Sequence, residues 1–197
     1  MQEYDPLDYD NLAKSVVEAL FKEPEQALAS LEPFAGSGVY AIYYRGDFLG
    51  YAPLVKAADG SPIYVGKAVP SGARKGRRSL SPGKELYARL KDHSESIEQA
   101  QNLQLKDFTC RYLVVVPVWI TLAERFLVEH YQPVWNVAID GFGNHDPGSG
   151  RKDMKRPRWD ILHPGRPWAV KLKAEESFEK VLQQLQQFLS HKRREAT

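Results

Sequence analysis

Apolar and polar residues alternate along this chain with two periods, one typical of strands and one typical of helices. Short runs rich in β-branched and aromatic residues predict three strands, at residues 38–44, 62–67 and 108–116. Apolar positions three or four residues apart, with Pro or Thr at several starts, predict helices at residues 11–21, 24–31, 81–101, 121–131 and from Phe178 onward. This order predicts an α/β (α+β) fold, in which a small three-stranded mixed or antiparallel sheet is flanked by helices.

Glycine and proline residues mark the connections between these elements. Residues 46–61 are predicted to form a loop or a short extra hairpin, because Arg45-Gly46-Asp47 resembles a turn. Residues 68–83 and 137–168 are predicted to be irregular. The 197 residues contain no internal repeat, and a chain of this length is expected to form a single domain over residues 1–197.

Composition narrows the class of protein. Hydrophobic residues make up 43% of the chain, which is typical of a globular protein. The single cysteine, Cys110, excludes a disulfide within the chain and favours a core position in a reducing compartment. The acidic N-terminus lacks the apolar segment of a signal peptide, and no run has the length of a membrane span. These features predict a cytoplasmic protein.

The small net charge of +2 hides a separation of charge along the chain. Residues 1–35 carry eight acidic and two basic residues, whereas residues 66–91 carry eight basic residues and one acidic residue. Residues 151–173 carry eight basic and two acidic residues. Two basic segments rich in Gly, Pro and Ser favour contact with nucleic acid over a merely solvated surface, because Lys and Arg neutralise phosphates.

Three residues on predicted helices have side chains suited to phosphate chemistry. Arg89 and His93 lie four residues apart and share a helix face; Arg binds two phosphate oxygens at once, and His passes a proton near neutral pH. Each of them, taken alone, is more simply interpreted as a solvated surface residue. Glu124 has two interpretations, since Thr121 to Glu124 fits a capping box and a carboxylate at this place can also hold Mg²⁺. Spacing alone favours the cap.

The chain resembles the GIY-YIG nuclease superfamily. Gly38-Val39-Tyr40 and Tyr64-Val65-Gly66 stand where the family has its two tripeptides, with Val in place of Ile in each. Arg89 matches the arginine of the family's helix, and the family's closing pattern is matched by Glu124, Pro133 and Asn136. These elements occur in the family's order and on the expected strands and helices, which is far more specific than either tripeptide alone.

Within this superfamily, His93 resembles the type II restriction endonuclease branch, in particular the enzyme there that recognises CCGCGG. The resemblance covers residues 36–136, interpreted as the catalytic core. Residues 1–35 then form an N-terminal helical arm, and residues 137–197 a DNA-contacting loop and a C-terminal helix. The longer gap between the two tripeptides indicates an insertion at 45–61.

The resemblance implies Mg²⁺-dependent hydrolysis of a phosphodiester bond that leaves a 5′-phosphate and a 3′-hydroxyl. Mn²⁺ is an expected substitute for Mg²⁺, with one ion per active site held by Glu124. Tyr40 is expected to take the proton of the attacking water with His93 as its partner, and which of the two is the immediate base stays open. The full set of expected catalytic residues is Tyr40, Tyr64, Arg89, His93, Glu124 and Asn136.

The expected partner is double-stranded DNA, cut at a short GC-rich palindrome by a homodimer. A cognate DNA methyltransferase is expected as the functional partner. Trp159 and Trp168 are available to pack against sugars or bases. The basic side chains expected to contact DNA are Lys67, Arg74, Lys75, Arg77, Arg78, Lys84, Arg151, Lys152, Lys155, Arg156 and Arg158.

Two other functions are compatible with these residues. A repair or homing nuclease of the same superfamily would share the core, although such enzymes normally carry further domains or a long DNA-binding tail. A non-catalytic nucleic-acid-binding module would use the same basic loops, but it would not need Tyr40 or Glu124.

Overall fold

A four-stranded antiparallel sheet lies at the centre of the molecule, in the strand order β1-β4-β2-β3. The strands are β1 (Gln26–Ala27), β2 (Gly38–Tyr44), β3 (Tyr64–Ala68) and β4 (Phe108–Val114). The computed structural model describes residues 5, 7–56, 60–70, 83–148 and 154–195. The fold class predicted from the sequence is confirmed.

Helices cover both faces of the sheet. They are α1 (Tyr9–Lys22), α2 (Ala52–Lys56), α3 (Glu85–Gln99), α4 (Ile120–Tyr131), α5 (Val134–Val137), α6 (Arg158–Leu162), α7 (Pro167–Val170) and α8 (Phe178–Glu195). Helices α1 and α4 pack on the face that carries Val39, Ala41 and Tyr43. Helices α3, α5, α6 and α8 belong to the larger core on the face of Tyr40 and Ile42. Strand β2 is therefore buried on both sides, and all seven of its residues are buried.

Two predicted segments differ from the structure. The helix predicted at 24–31 is wrong, because Gln26 and Ala27 pair with the edge of β4 and only a single 3₁₀ turn follows. The carboxylate of Glu25 strengthens this pairing, since it accepts hydrogen bonds from Thr109 and Arg111 on β4. This pairing gives the sheet a fourth strand, one more than predicted.

The segment 46–61, predicted to be a loop or a short hairpin, contains helical turns over Leu49–Lys56. A 3₁₀ turn leads into α2, which places Tyr51 and Leu54 in the large core. The predicted irregular segment 137–168 likewise contains part of α5, all of α6 and the start of α7. None of the helices in the described part of the chain is both long and apolar enough to cross a membrane.

A fully buried histidine, His163, follows α6 and belongs to a polar network inside the large core. Its Nε2 lies 2.5 Å from the hydroxyl of Tyr51, and its Nδ1 lies 2.9 Å from Oδ1 of Asn102. The indole N–H of Trp135 donates to the same hydroxyl at 2.7 Å. Burial lowers the pKa of His163 to about 3, so the folded protein holds this imidazole neutral.

We expect His163 to make the folded state sensitive to acid. An unfolded histidine binds a proton below a pKa of about 6.5, whereas His163 in the folded protein does so only near 3. The unfolded chain thus binds more protons between these values, and stability falls as pH falls, by about 1.4 kcal/mol per pH unit. Denaturant unfolding at pH 7 and pH 5 should show a loss of about 2 kcal/mol from this residue. In His163→Gln that share of the slope should vanish; an unchanged slope would contradict the assignment.

Candidate active site

The register of β2 and β3 brings two tyrosines to one face of the sheet. Tyr40 pairs with Gly66 and Ile42 pairs with Tyr64, so the two phenols are diagonal neighbours across the strands. Their ring centroids are 6.2 Å apart. Gly66 makes room for Tyr40, because a Cβ at residue 66 would lie 2.4 Å from the Tyr40 hydroxyl. The glycine of the second tripeptide therefore seats the tyrosine of the first.

Asn136 fixes the outer strand of this pair. Its Oδ1 accepts from the backbone N–H of Val65, and its Nδ2 donates to the carbonyl of Val65, both at 2.8 Å. Val65 lies between Tyr64 and Gly66 on the edge strand β3. Asn136 thus holds the backbone that positions Tyr64 and touches neither phenol by these bonds.

His93 approaches the site from α3 and is buried, not solvated. Its Nε2 lies 2.6 Å from the Tyr40 hydroxyl. The ring of Phe142 stacks on the imidazole at 4.5 Å with an interplanar angle of 17°, and the edge of Tyr64 packs beside it. His93 is 1% exposed, and among the residues that the structure describes its ring bonds the Tyr40 hydroxyl.

Burial sets the protonation of both members of the Tyr40–His93 pair. It raises the pKa of Tyr40 well above its usual value, which the nearby Arg89 charge lowers only in part. Burial also lowers the pKa of His93 well below its usual value, and the positive charge of Arg89 adds to this effect. At neutral pH a protonated phenol therefore donates to a neutral imidazole.

Arg89, one turn before His93 on α3, is held by a loop that follows α5. Its Nη2 donates to the carbonyl of Gly143 at 2.8 Å, and its Nη1 bonds Nε2 of His145. A weaker ion pair joins it to Asp92 at 3.7 Å. The guanidinium is a quarter exposed, so it faces both the protein and solvent.

Glu124 lies in the first turns of α4 and pairs with Lys67 of β3. Nζ of Lys67 is 2.6 Å from Oε2 of Glu124, and both side chains are partly exposed. Burial raises the pKa of both Tyr40 and Tyr64, and the negative charge of Glu124 adds to this effect in each. The capping-box interpretation is wrong, because α4 begins at Ile120 with Trp119 as its N-cap and has no side-chain cap.

The donor set around Glu124 fits a weakly held divalent ion. The described residues contain no group of three or more His, Cys, Asp or Glu side chains that could hold a metal on their own. Mg²⁺, however, commonly binds through one or two carboxylates and completes its shell with waters and substrate phosphate oxygens. A single partly exposed carboxylate beside a lysine is compatible with that mode.

Most of the basic residues expected at DNA are engaged within the protein or lie outside the described ranges. Lys155 pairs with Glu175 at 2.6 Å, and Arg158 pairs with Glu176 at 2.7 Å. Arg156 donates to the carbonyls of Ala169 and Val170. Lys84 is exposed. The residues outside the described ranges are Arg74, Lys75, Arg77, Arg78, Arg151 and Lys152.

The structure adds four residues that the sequence interpretation missed: Phe142, Gly143, His145 and Arg166. No local pattern singles them out, since all lie beyond residue 136 in a stretch predicted to be irregular. The expectation that Trp159 packs against DNA is wrong, because its ring is fully buried. Trp159 and Trp168 instead lie on the guanidinium of Arg166, at 4.5 and 4.7 Å.

The comparison with known families agrees with this arrangement. A family model described as the Eco29kI GIY-YIG domain matches residues 32–189, which is most of the chain. The match includes the two tripeptides, α3, α4 and also the 141–145 loop with Arg166. No curated protein matches the chain. The protein therefore belongs to the Eco29kI-type GIY-YIG restriction endonucleases, a family of site-specific endonucleases that act on DNA.

Proposed function

We propose that this protein is a type II restriction endonuclease that hydrolyses double-stranded DNA at a short GC-rich palindrome, CCGCGG, leaving 5′-phosphate and 3′-hydroxyl ends. The observation that carries the proposal is the 2.6 Å contact between the Tyr40 hydroxyl and Nε2 of His93. Phosphodiester hydrolysis needs a proton acceptor for the attacking water and cations for the charge that develops on the phosphate. Two cations are available for this charge: Arg89, which lies close to both phenols, and Lys67, which pairs with Glu124.

Tyr40 and His93 act together as the base. The attacking water gives its proton to the Tyr40 oxygen as the phenolic proton passes to Nε2 of His93, so no free phenolate has to form. The two pKa shifts agree with this transfer. Burial raises the pKa of Tyr40, which disfavours a free phenolate, and lowers the pKa of His93, which keeps the imidazole neutral before the reaction. The relay needs His93 neutral at the start.

Arg89 and Tyr64 orient the reacting groups. Nη2 of Arg89 keeps its bond to the carbonyl of Gly143. Nη1 exchanges its bond to His145 for the scissile phosphate, because a side chain and not the backbone holds this nitrogen. Tyr64 faces His93 and Tyr40 and directs its hydroxyl to the attacking water or to a phosphate oxygen. Asn136 keeps the strand beneath Tyr64 in register.

Glu124 is the residue that would hold Mg²⁺, with Mn²⁺ as a substitute. Bound there, a divalent ion would withdraw charge from the phosphate and stabilise the leaving 3′ oxygen. In the free protein Lys67 forms an ion pair with Glu124. When DNA is present, Lys67 leaves this pair and binds a phosphate. The free enzyme should therefore bind the ion more weakly than its complex with DNA does.

Lys84 and other basic residues of segments 66–91 and 151–173 hold the DNA backbone and read guanines in the major groove. Lys155, Arg156 and Arg158 contribute only where a phosphate displaces their present acidic or carbonyl partners. Because a palindrome presents two equivalent strands, we propose that the active unit on DNA is a homodimer, partnered in function by a cognate methyltransferase.

A plasmid assay tests the proposal. A supercoiled plasmid with one CCGCGG site, incubated with the protein and Mg²⁺, should become linear, and end sequencing should find one cut position. The same plasmid with one base of the site changed is the control and should stay intact. Discrete cutting elsewhere would contradict the recognition site alone. Nonspecific nicking would indicate a repair nuclease, and a mobility shift without cleavage a binding module.

A further inference from the structure

Arg166 is a buried arginine whose guanidinium grips the loop beside the active site. Its side chain is 1% exposed. Nε and Nη2 donate to the two carboxylate oxygens of Asp160 at 2.6 and 2.5 Å. This bidentate pair neutralises the charge, which is the condition under which an arginine is stable in a core.

The remaining N–H groups of Arg166 all point to backbone carbonyls of one loop. Nη1 donates to Phe142 and Asn144 at 3.0 Å each, and Nη2 donates to Gly141 at 2.9 Å. A guanidinium has five N–H groups, and all five are used. Arg166 therefore has no donor left for a DNA phosphate, although it belongs to the basic segment 151–173.

The tryptophans that flank Arg166 hold its plane. Trp159 and Trp168 place their rings 4.5 and 4.7 Å from the guanidinium carbon. Gly141 has a φ of 102°, and a Cβ there would lie 2.1 Å from the Cβ of Pro157, so this turn also requires a glycine. The backbone carbonyls of the loop therefore bind the guanidinium of Arg166, and the two tryptophan rings pack on it.

The opposite side of the same loop contacts the proposed catalytic residues. The carbonyl of Gly143, between two carbonyls that bind Arg166, accepts from Arg89 at 2.8 Å. Phe142 stacks on the imidazole of His93 and meets the edge of Tyr64 at 5.0 Å. One loop therefore connects Arg166 to three residues of the site.

We propose that Arg166, paired with Asp160, is a positioning residue for the nuclease site, and that it sets the orientations of Arg89 and His93 through the 141–145 loop. The expected effect of Arg166 on the rate of DNA cleavage rests on the proposed function. The catalytic core inferred from the sequence ended at residue 136, and this proposal extends it to the 141–145 loop and Arg166. Burial is the main cause of the lowered pKa of His93, and the positive charge of Arg166 adds to it.

Arg166→Lys is the discriminating variant. It keeps the charge against Asp160 but cannot supply five donors in one plane, so the loop carbonyls lose partners. We expect the single-turnover cleavage rate to fall about 10- to 100-fold, because small misplacements of catalytic groups have effects of this size. DNA affinity, measured by anisotropy without Mg²⁺, should change by less than about threefold, since Arg166 offers no phosphate contact.

His163→Gln is the matched control, because His163 is equally buried and polar but has no bond to the loop. Both variants should melt below the wild type, and rates are compared well below both melting temperatures. If Arg166→Lys cleaves as fast as His163→Gln, the positioning role is overturned. If Arg166→Lys does not fold, Phe142→Leu removes the ring on His93 while leaving Arg166 in place, and the same rate loss is expected.

A readout independent of cleavage separates this inference from the proposed function. The NMR signals of the His93 ring should shift in Arg166→Lys and stay unchanged in His163→Gln. If the wild type does not cut DNA but these signals shift as expected, the proposed function fails and the positioning of His93 stands. If the wild type cuts DNA and neither rate nor signals respond to Arg166→Lys, the inference fails and the proposed function stands.

Discussion

Glu124→Gln should lower DNA cleavage about 10³-fold or more while leaving DNA binding intact. The substitution keeps the shape of the side chain and removes the negative charge that pairs with Lys67 and is proposed to hold the divalent ion. DNA affinity should be unchanged or slightly higher, because a negative charge near the phosphates is lost and Lys67 is released from its partner. Single-turnover cleavage and anisotropy without metal measure the two effects separately.

Glu129→Gln is the matched control for this experiment. Glu129 lies on the same helix, α4, and pairs with Arg125 at the surface. Its loss should leave cleavage within about twofold of the wild type, since exposed pairs contribute little. Wild-type cleavage by Glu124→Gln would return Glu124 to the role of an ion-pair partner of Lys67 and remove it from the metal site.

Tyr40→Phe should lower the cleavage rate about 10²- to 10⁴-fold, the range for loss of a positioned proton acceptor. The phenyl ring still fills the space beside Gly66, so the packing of β2 is preserved. Tyr51→Phe is the matched control, because Tyr51 is also buried with its hydroxyl against a histidine, His163. It should cost about 1 to 3 kcal/mol of stability and leave the rate unchanged at temperatures where the protein is folded.

The pH dependence of kcat/KM distinguishes a relay through His93 from a purely structural contact. The relay requires a neutral imidazole, and burial lowers the pKa of His93 well below its usual value. Activity should therefore persist below pH 6.5 and fall only as His93 gains a proton. His93→Ala should be slow and should lack this acidic limb, with circular dichroism confirming folding at each pH. An acidic limb retained in His93→Ala would exclude His93 from proton transfer.

Strand β2, which carries the first tripeptide, could be predicted because its burial on both faces is visible in its sequence. All seven residues of β2 are buried, so every one of them is apolar, aromatic or glycine. Strand β1 has no such sequence pattern, since it is two residues long and depends on pairing with Cys110 and Thr109. The bond between Glu25 and Arg111 that supports it joins residues 86 positions apart. Local propensity favoured a helix there, and tertiary pairing prevailed.

The candidate site was predictable only where strand register or helix periodicity brings residues together. Period two places Tyr40 and Tyr64 on one face, and the spacing of four aligns Arg89 with His93. The count of basic residues in segment 151–173 overestimates the positive charge available to DNA, because it includes Arg166 as a surface cation. Arg166 is instead buried and paired with the carboxylate of Asp160, six residues earlier in the chain. Neither its burial nor its pairing can be predicted from composition.

Strand β3 ends the sheet, yet its open side is occupied. The amide of Asn136 binds both backbone groups of Val65, and the backbone N–H of Trp135 reaches the carbonyl of Ile63 just before the strand. Uncovered terminal strands recruit foreign strands and lead to aggregation. Another strand therefore meets no vacant backbone donor or acceptor at Val65, so a second molecule of this protein cannot extend the sheet from that residue.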